Sequence, residues 1–242
     1  APNNWLSIFG GSAWSWNPTR HQYYLHNFLK SQPDLNFHNP HVRAETLEIA
    51  RFWLDRGVSG FRLDTVNFYF HDQELRNNPA TDNLNSAVAP ASNPYSHQDH
   101  IYDKNRPEVA SYLSELGSLL GDYPGTVTLG EIAAVEKRSW SIIREYTAEQ
   151  RLSLCYSFDL LSDKFNAEYL RSVITRSLRE APESWPCWAF SNHDVPRSAS
   201  RLAPEGVPSE HIARLSIAIL LSLRGTPCIY QGEELGLEEA EI

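Results

Sequence analysis

Three carboxylates, each closing a short apolar run, carry the most specific chemistry in this sequence. Asp64 ends VSGFRLD at 58–64, Glu131 ends GTVTLGE at 125–131, and Asp194 ends WPCWAFSNHD at 185–194. An acid after a strand is often only a turn former or a helix cap. Acids gathered from several strand ends can do more. Glycoside hydrolysis passes through an oxocarbenium-like transition state, and it needs one carboxylate beneath the anomeric carbon and one carboxylic acid beside the leaving oxygen. Arg62 stands two residues before Asp64, so strand alternation turns both side chains the same way and sets a cation beside a carboxylate. His193 precedes Asp194, which puts an imidazole and a carboxylate in one turn.

These acids need elements to carry them. A helix is expected from Asn39 as N-cap and Pro40 at the first helical position, stopping before Gly57, with Leu47, Ala50, Leu54, Phe52 and Trp53 as one wide buried face. A second begins near Pro107, places Val109, Tyr112, Leu113, Leu116, Leu119 and Leu120 at helical spacing, and ends at Gly121. Two more cover 167–179 and 208–224, and further strand candidates lie at 152–161 and 225–234. Strands alternating with helices, with polar residues at the strand C-termini, describe a parallel sheet with its chemistry on one rim. Near-continuous apolar segments such as TPCIY fit burial on both faces. A closed barrel and an open doubly wound sheet both satisfy this alternation; no glycine-rich dinucleotide fingerprint follows any strand, which favours the barrel. Residues 69–106 form a long connection after the Asp64 strand, able to wall a pocket. Residues 1–38 look like a small excursion over the same rim.

Composition narrows the partners. Thirty acidic against 21 basic side chains give a net charge of −9, which repels nucleic acid and anionic membrane surfaces and leaves a neutral ligand as the expected one. Seven Trp and eleven Tyr suit stacking on pyranose faces, although most aromatics in any fold are core. Cys155, Cys187 and Cys228 lie far apart in apolar runs without zinc spacing, as expected of buried free thiols in a reducing compartment, here the cytoplasm. The apolar patch at 215–223 is too short to span a bilayer.

GFRLD at 60–64, TLGE at 128–131 and SNHD at 191–194 resemble three of the four conserved regions of the α-amylase family, glycoside hydrolase family 13, in the family's order. QPDLN at 32–36, the stretch at 93–108 and YQGEELG at 230–236 resemble its oligo-1,6-glucosidase and α-glucosidase branch. The resemblance implies that Asp64 is the nucleophile, that Glu131 is the acid and then the base, and that Asp194 holds sugar hydroxyls with Arg62 and His193 beside it. It also implies that Thr65 tunes linkage, because 1,6-specific members usually carry Val there and 1,4-preferring members carry Ala or Thr. A plain alternative is that Thr65 is only a β-branched residue suited to a strand end.

The family's first conserved region, an Asp and an Asn-His pair after the third strand, is absent from the 242 residues. The expected architecture is therefore α/β, an incomplete (β/α)8 barrel of strands four to eight. Residues 1–38 are expected to be the end of a domain inserted between strands three and four, residues 39–242 the partial barrel, and the whole an internal piece of a longer protein. No metal ligand and no cofactor is expected in this chain; the calcium loop of some members belongs near the first strand. The expected activity is a retaining α-glucosidase acting on terminal bonds of short oligosaccharides or disaccharides, with α-1,4 the expected linkage and transglucosylation open. Oligo-1,6-glucosidase, sucrose isomerase and trehalose synthase are the alternatives, and outside enzymes the ectodomain of amino-acid transporter heavy chains, which loses catalytic carboxylates.

Overall fold

The computed structural model describes residues 1–82, 89–133 and 138–240. An antiparallel hairpin, β1 (Trp14–Asn17) and β2 (Gln22–Leu25), comes first. A parallel sheet follows, with β3 (Gly60–Leu63), β4 (Val127–Ile132), β5 (Leu154–Ser157), β6 (Pro186–Trp188) and β7 (Thr226–Pro227) side by side in chain order. Helices α1 (Pro40–Leu54), α2 (Glu108–Leu120), α3 (Ser139–Tyr146) and α4 (Ala167–Glu180) precede β3, β4, β5 and β6 respectively. The short α5 (Ser198–Arg201) and the longer α6 (Ser209–Ser222) lie between β6 and β7.

Local chemistry sets the main boundaries. Asn39 accepts from the His41 N–H and Pro40 opens α1, while Gly57, at φ +87°, takes the chain back toward β3. Helix α2 ends at Gly121 as its spacing predicts, and buries Val109, Tyr112, Leu113, Leu116 and Leu119. Gly60 allows a close approach: a Cβ there would lie 1.8 Å from the Val127 carbonyl oxygen, its register partner on β4.

Several expectations are corrected. On α1 only Leu54 is buried, Leu47 and Ala50 pack partly against the core, and Phe52 and Trp53 stay 46% and 48% exposed. The run at 152–161 is a four-residue strand followed by a turn of 3-10 helix at Phe158–Leu161. Ser157 caps that turn by accepting from the Asp159 N–H, and the buried Asp159 carboxylate takes bonds from Trp140 Nε1 at 2.8 Å and Arg176 Nη2 at 2.9 Å. Strand β6 ends at Trp188, six residues short of Asp194. The run at 225–234 forms only the two-residue β7, and TPCIY is not covered on both faces: 226–228 are half-buried and Ile229 is exposed. Helices α3 and α5 were not anticipated, being too short for a convincing periodic signal.

Between sheet and helices lies the main core, which includes Leu63, Val66, Leu113, Ile132, Ile143, Cys155 and Trp188. The opposite sheet face carries a smaller cluster of Tyr156, Cys187 and Ala189, with Leu129, Leu154 and Cys228 against it. Strand alternation sets Glu131 on this second face, two residues beyond Leu129. Residues 1–38 rest on the long connection after β3: Trp5 Nε1 donates to the Arg76 carbonyl at 2.9 Å, and Asn4 and Asn78 exchange bonds. Within that connection, expected over 69–106, residues 83–88 lie outside the described residues.

Candidate active site

Strands β3 and β4 present the first two acids side by side. The Arg62 guanidinium pairs with Glu131 Oε1 at 2.8 Å and with Asp64 Oδ1. Tyr156 Oη donates to Glu131 Oε1 at 2.7 Å from the residue that stands opposite Glu131 in the β4–β5 register. The other carboxylate oxygen, Oε2, accepts from the Thr65 N–H at 3.1 Å. That N–H is aimed by the left-handed conformation of Thr65, φ +37° and ψ +48°, an uncommon state for a β-branched residue.

Exposure separates the two acids. Glu131 is 2% exposed, whereas the Asp64 side chain is 70% exposed. Burial pushes the Glu131 carboxyl above the usual range. The Tyr156 hydroxyl, the Thr65 N–H and the Arg62 charge pull it back, and the Asp64 charge adds to the rise. The cluster thus pairs an accessible carboxylate with a sheltered group biased toward its protonated form.

Asp194 sits apart. It pairs with His193 Nε2 at 3.5 Å, takes a bond from Asn192 Nδ2 at 3.1 Å, and donates its own N–H to Asn192 Oδ1 at 2.9 Å. Among the described residues no hydrogen bond or ion pair joins His193 or Asp194 to the Asp64–Glu131 cluster. Their turn is anchored from behind by the buried Glu233, which accepts from Ser191 Oγ at 3.0 Å, Ser198 Oγ at 2.9 Å and the Tyr230 N–H at 3.1 Å. So Arg62, Asp64, Thr65 and Glu131 come together, and His193 and Asp194 form a second group past the end of β6.

Tyr156, Asn192 and Glu233 were not singled out from sequence. Register could have found Tyr156, since its strand position matches that of Glu131; Glu233 lies inside the YQGEELG match but gives no local sign of its bonds. Asp34, in QPDLN, accepts from both the Asn27 N–H and Asn27 Nδ2 at 2.8 Å, and burial raises its carboxyl to about 6. The three cysteines are free, with Cys155 and Cys187 buried and Cys228 only partly so. Among the described residues no three His, Cys, Asp or Glu side chains are grouped to hold a metal ion, and no helix is long and apolar enough to cross a membrane.

The family model for the α-amylase catalytic domain matches residues 1–242. The chain belongs to the α-amylase catalytic-domain family. This is a TIM-barrel family, in accord with the parallel sheet and with acids at strand C-termini. Within the α-amylase family, a probable α-glucosidase of Rhizobium meliloti (strain 1021) is 54% identical over 245 residues, covering 100% of this chain and 44% of the relative. An oligo-1,6-glucosidase of Parageobacillus thermoglucosidasius is 32% identical, covering 98% of this chain and 42% of the relative. Among solved structures, the α-glucosyl transfer enzyme XgtA superposes with a TM-score of 0.94 at 51% identity, over 100% of this chain and 45% of that one. The chain thus spans less than half the length of the relatives it matches.

Proposed function

We propose that this chain carries the catalytic carboxylates of a retaining α-glucosidase acting on short oligosaccharides, with preference for α-1,4 bonds. One observation carries the reading: a buried carboxyl biased toward protonation, Glu131, is bridged through Arg62 to an exposed carboxylate, Asp64. Asp64 attacks the anomeric carbon while Glu131 gives its proton to the leaving oxygen; Glu131 then takes a proton from the water that releases glucose. Asp194 and His193 hold sugar hydroxyls in this scheme, and Thr65 borders the acceptor sugar. The retaining route calls for carboxyls about 5–5.5 Å apart.

In this proposal β3 to β7 are the fourth to eighth strands of a (β/α)8 barrel, residues 1–38 are the end of the inserted domain, and 39–242 are the partial barrel. The outer edges of β3 and β7, unpaired among the described residues, support it, as does the share of each relative that the chain covers. No cofactor enters the scheme, and free thiols favour the cytoplasm. A second reading, transfer of the glucosyl unit to another sugar, is favoured by the likeness to a glucosyl transfer enzyme.

The test is NMR of the first product from an α-glucoside with the full-length enzyme that contains this chain. Initial α-glucose is expected, and initial β-glucose would sink the retaining assignment. Adding a sugar acceptor separates the two readings: an accumulating disaccharide marks transfer.

A further inference from the structure

Beyond Leu63 opposite Gly130, the β3–β4 ladder stops, so neither Asp64 nor the end of β4 past Glu131 is held by strand pairing to the other. The side chain of Asn67 takes over. It is fully buried; its Oδ1 accepts from the Ala133 N–H at 3.2 Å, and its Nδ2 donates to the Ala133 carbonyl at 3.2 Å and to Asn105 Oδ1 at 2.8 Å. Asn105 returns a backbone bond to the Asn67 carbonyl at 2.8 Å. The buried Lys104 also points its ammonium at the Ala133 carbonyl, at 3.4 Å, and donates to Tyr95 Oη at 2.8 Å. A primary amide has one acceptor and two N–H donors, and all are used here.

We infer that Asn67 is a positioning residue: by clamping Ala133 it fixes the Asp64–Thr65 turn against the end of β4, so that the Thr65 N–H stays on Glu131. The inference rests on the proposed acid role of Glu131. A left-handed β-branched residue persists only where its surroundings over-determine it, and the turn Val66–Phe68, buried with Asn67 at its centre, supplies that constraint. Releasing the clamp lets Thr65 relax and withdraws one of the groups that lower the Glu131 carboxyl. The groups left facing Glu131 are Arg62 from β3, Asp64 just past its end, Tyr69 beyond, and Tyr156 from β5.

The experiment uses the full-length enzyme with Asn67→Leu and Asn67→Asp, and Val173→Ala as a core truncation remote from the cluster. Glu131 must be protonated to act, so activity falls on the alkaline side as it ionises. In both Asn67 variants kcat/KM is expected to drop about 10- to 100-fold, with the alkaline limb displaced upward; in Val173→Ala the limb stays in place. An unmoved limb in a folded Asn67 variant overturns the inference whatever the loss of activity. If neither variant folds, Asn105→Gly, which suits the positive φ of that position and removes one of the two acceptors of Asn67 Nδ2, is read the same way. If the unsubstituted enzyme releases no glucose from any α-glucoside, the proposed function fails by itself. Amide exchange at Thr65 then decides the clamp: faster in Asn67→Leu supports it, unchanged refutes it.

Discussion

Arg62 reaches Glu131 at 2.8 Å across the β3–β4 boundary, and the same guanidinium holds Asp64. One planar cation therefore fixes both acids relative to each other, a task that a lysine ammonium on a flexible stem does not perform. Arg62→Lys should lower kcat/KM by about 10²–10³-fold, the scale for losing one preorganised charge contact. Its alkaline limb should rise, because the lysine ammonium no longer holds its charge in contact with Glu131 and that contact is what pulls the carboxyl down. Kinetics across pH on maltose check both; near-normal activity would leave Arg62 a bystander.

Glu131→Gln keeps the shape of the acid and removes its proton. Turnover of maltose, whose leaving sugar needs that proton, should fall by about 10²–10⁴-fold. Glucosylation by α-glucosyl fluoride, whose leaving group needs little help, should be largely spared. Equal losses on both donors, measured by steady-state and single-turnover rates, would remove Glu131 from the acid role.

Stability should depend on acid through two opposed groups. Burial, with His38 nearby, lowers His71 to about 4, so the unfolded chain binds a proton below its own value of 6.5 that the folded protein refuses until about 4. Stability is lost as pH falls through that window. Asp34 acts in reverse: raised to about 6 from 3.8, its contribution is present at low pH and lost as pH rises through 6. Each effect is about 3 kcal/mol, and they offset. His71→Phe should therefore make the enzyme relatively more stable at pH 4.5 than at 7, and Asp34→Asn relatively less. Urea midpoints at the two pH values measure it; parallel shifts in both variants would contradict the assignment.

Thr65→Val should shift preference from maltose toward isomaltose. No hydrogen bond of the Thr65 hydroxyl is present among the described residues, which leaves it available to a bound sugar. Replacing it with a methyl changes hydrogen bonding at nearly constant shape, worth roughly 1–3 kcal/mol, or about 10- to 200-fold, in such a pocket. The ratio of kcat/KM for the two disaccharides is the readout, and an unchanged ratio confines Thr65 to its backbone role.

Features encoded within one element were legible in the sequence. Asn39 and Pro40 open α1, Gly121 closes α2, and the parallel strands end near Asp64 and Glu131 as their short motifs imply. What depends on register was hidden: Tyr156 meets Glu131 only because β4 and β5 pair residue for residue, and Asn67 meets Ala133 only after β3 and β4 have aligned. Phe52 and Trp53 misled for a different reason. Periodicity tells which face of a helix is apolar, not whether this chain supplies a surface to cover it.

The contact between Gly60 and the Val127 carbonyl closes one position to variation. Any side chain at 60 must push β4 away from β3, and the spacing of Asp64 and Glu131 goes with it. A library randomised across 58–66 and selected for turnover on any glucoside, with either linkage, should tolerate change at Thr65 yet recover glycine at 60 in every active clone, a geometric constraint on the evolution of the site that no choice of substrate can relax.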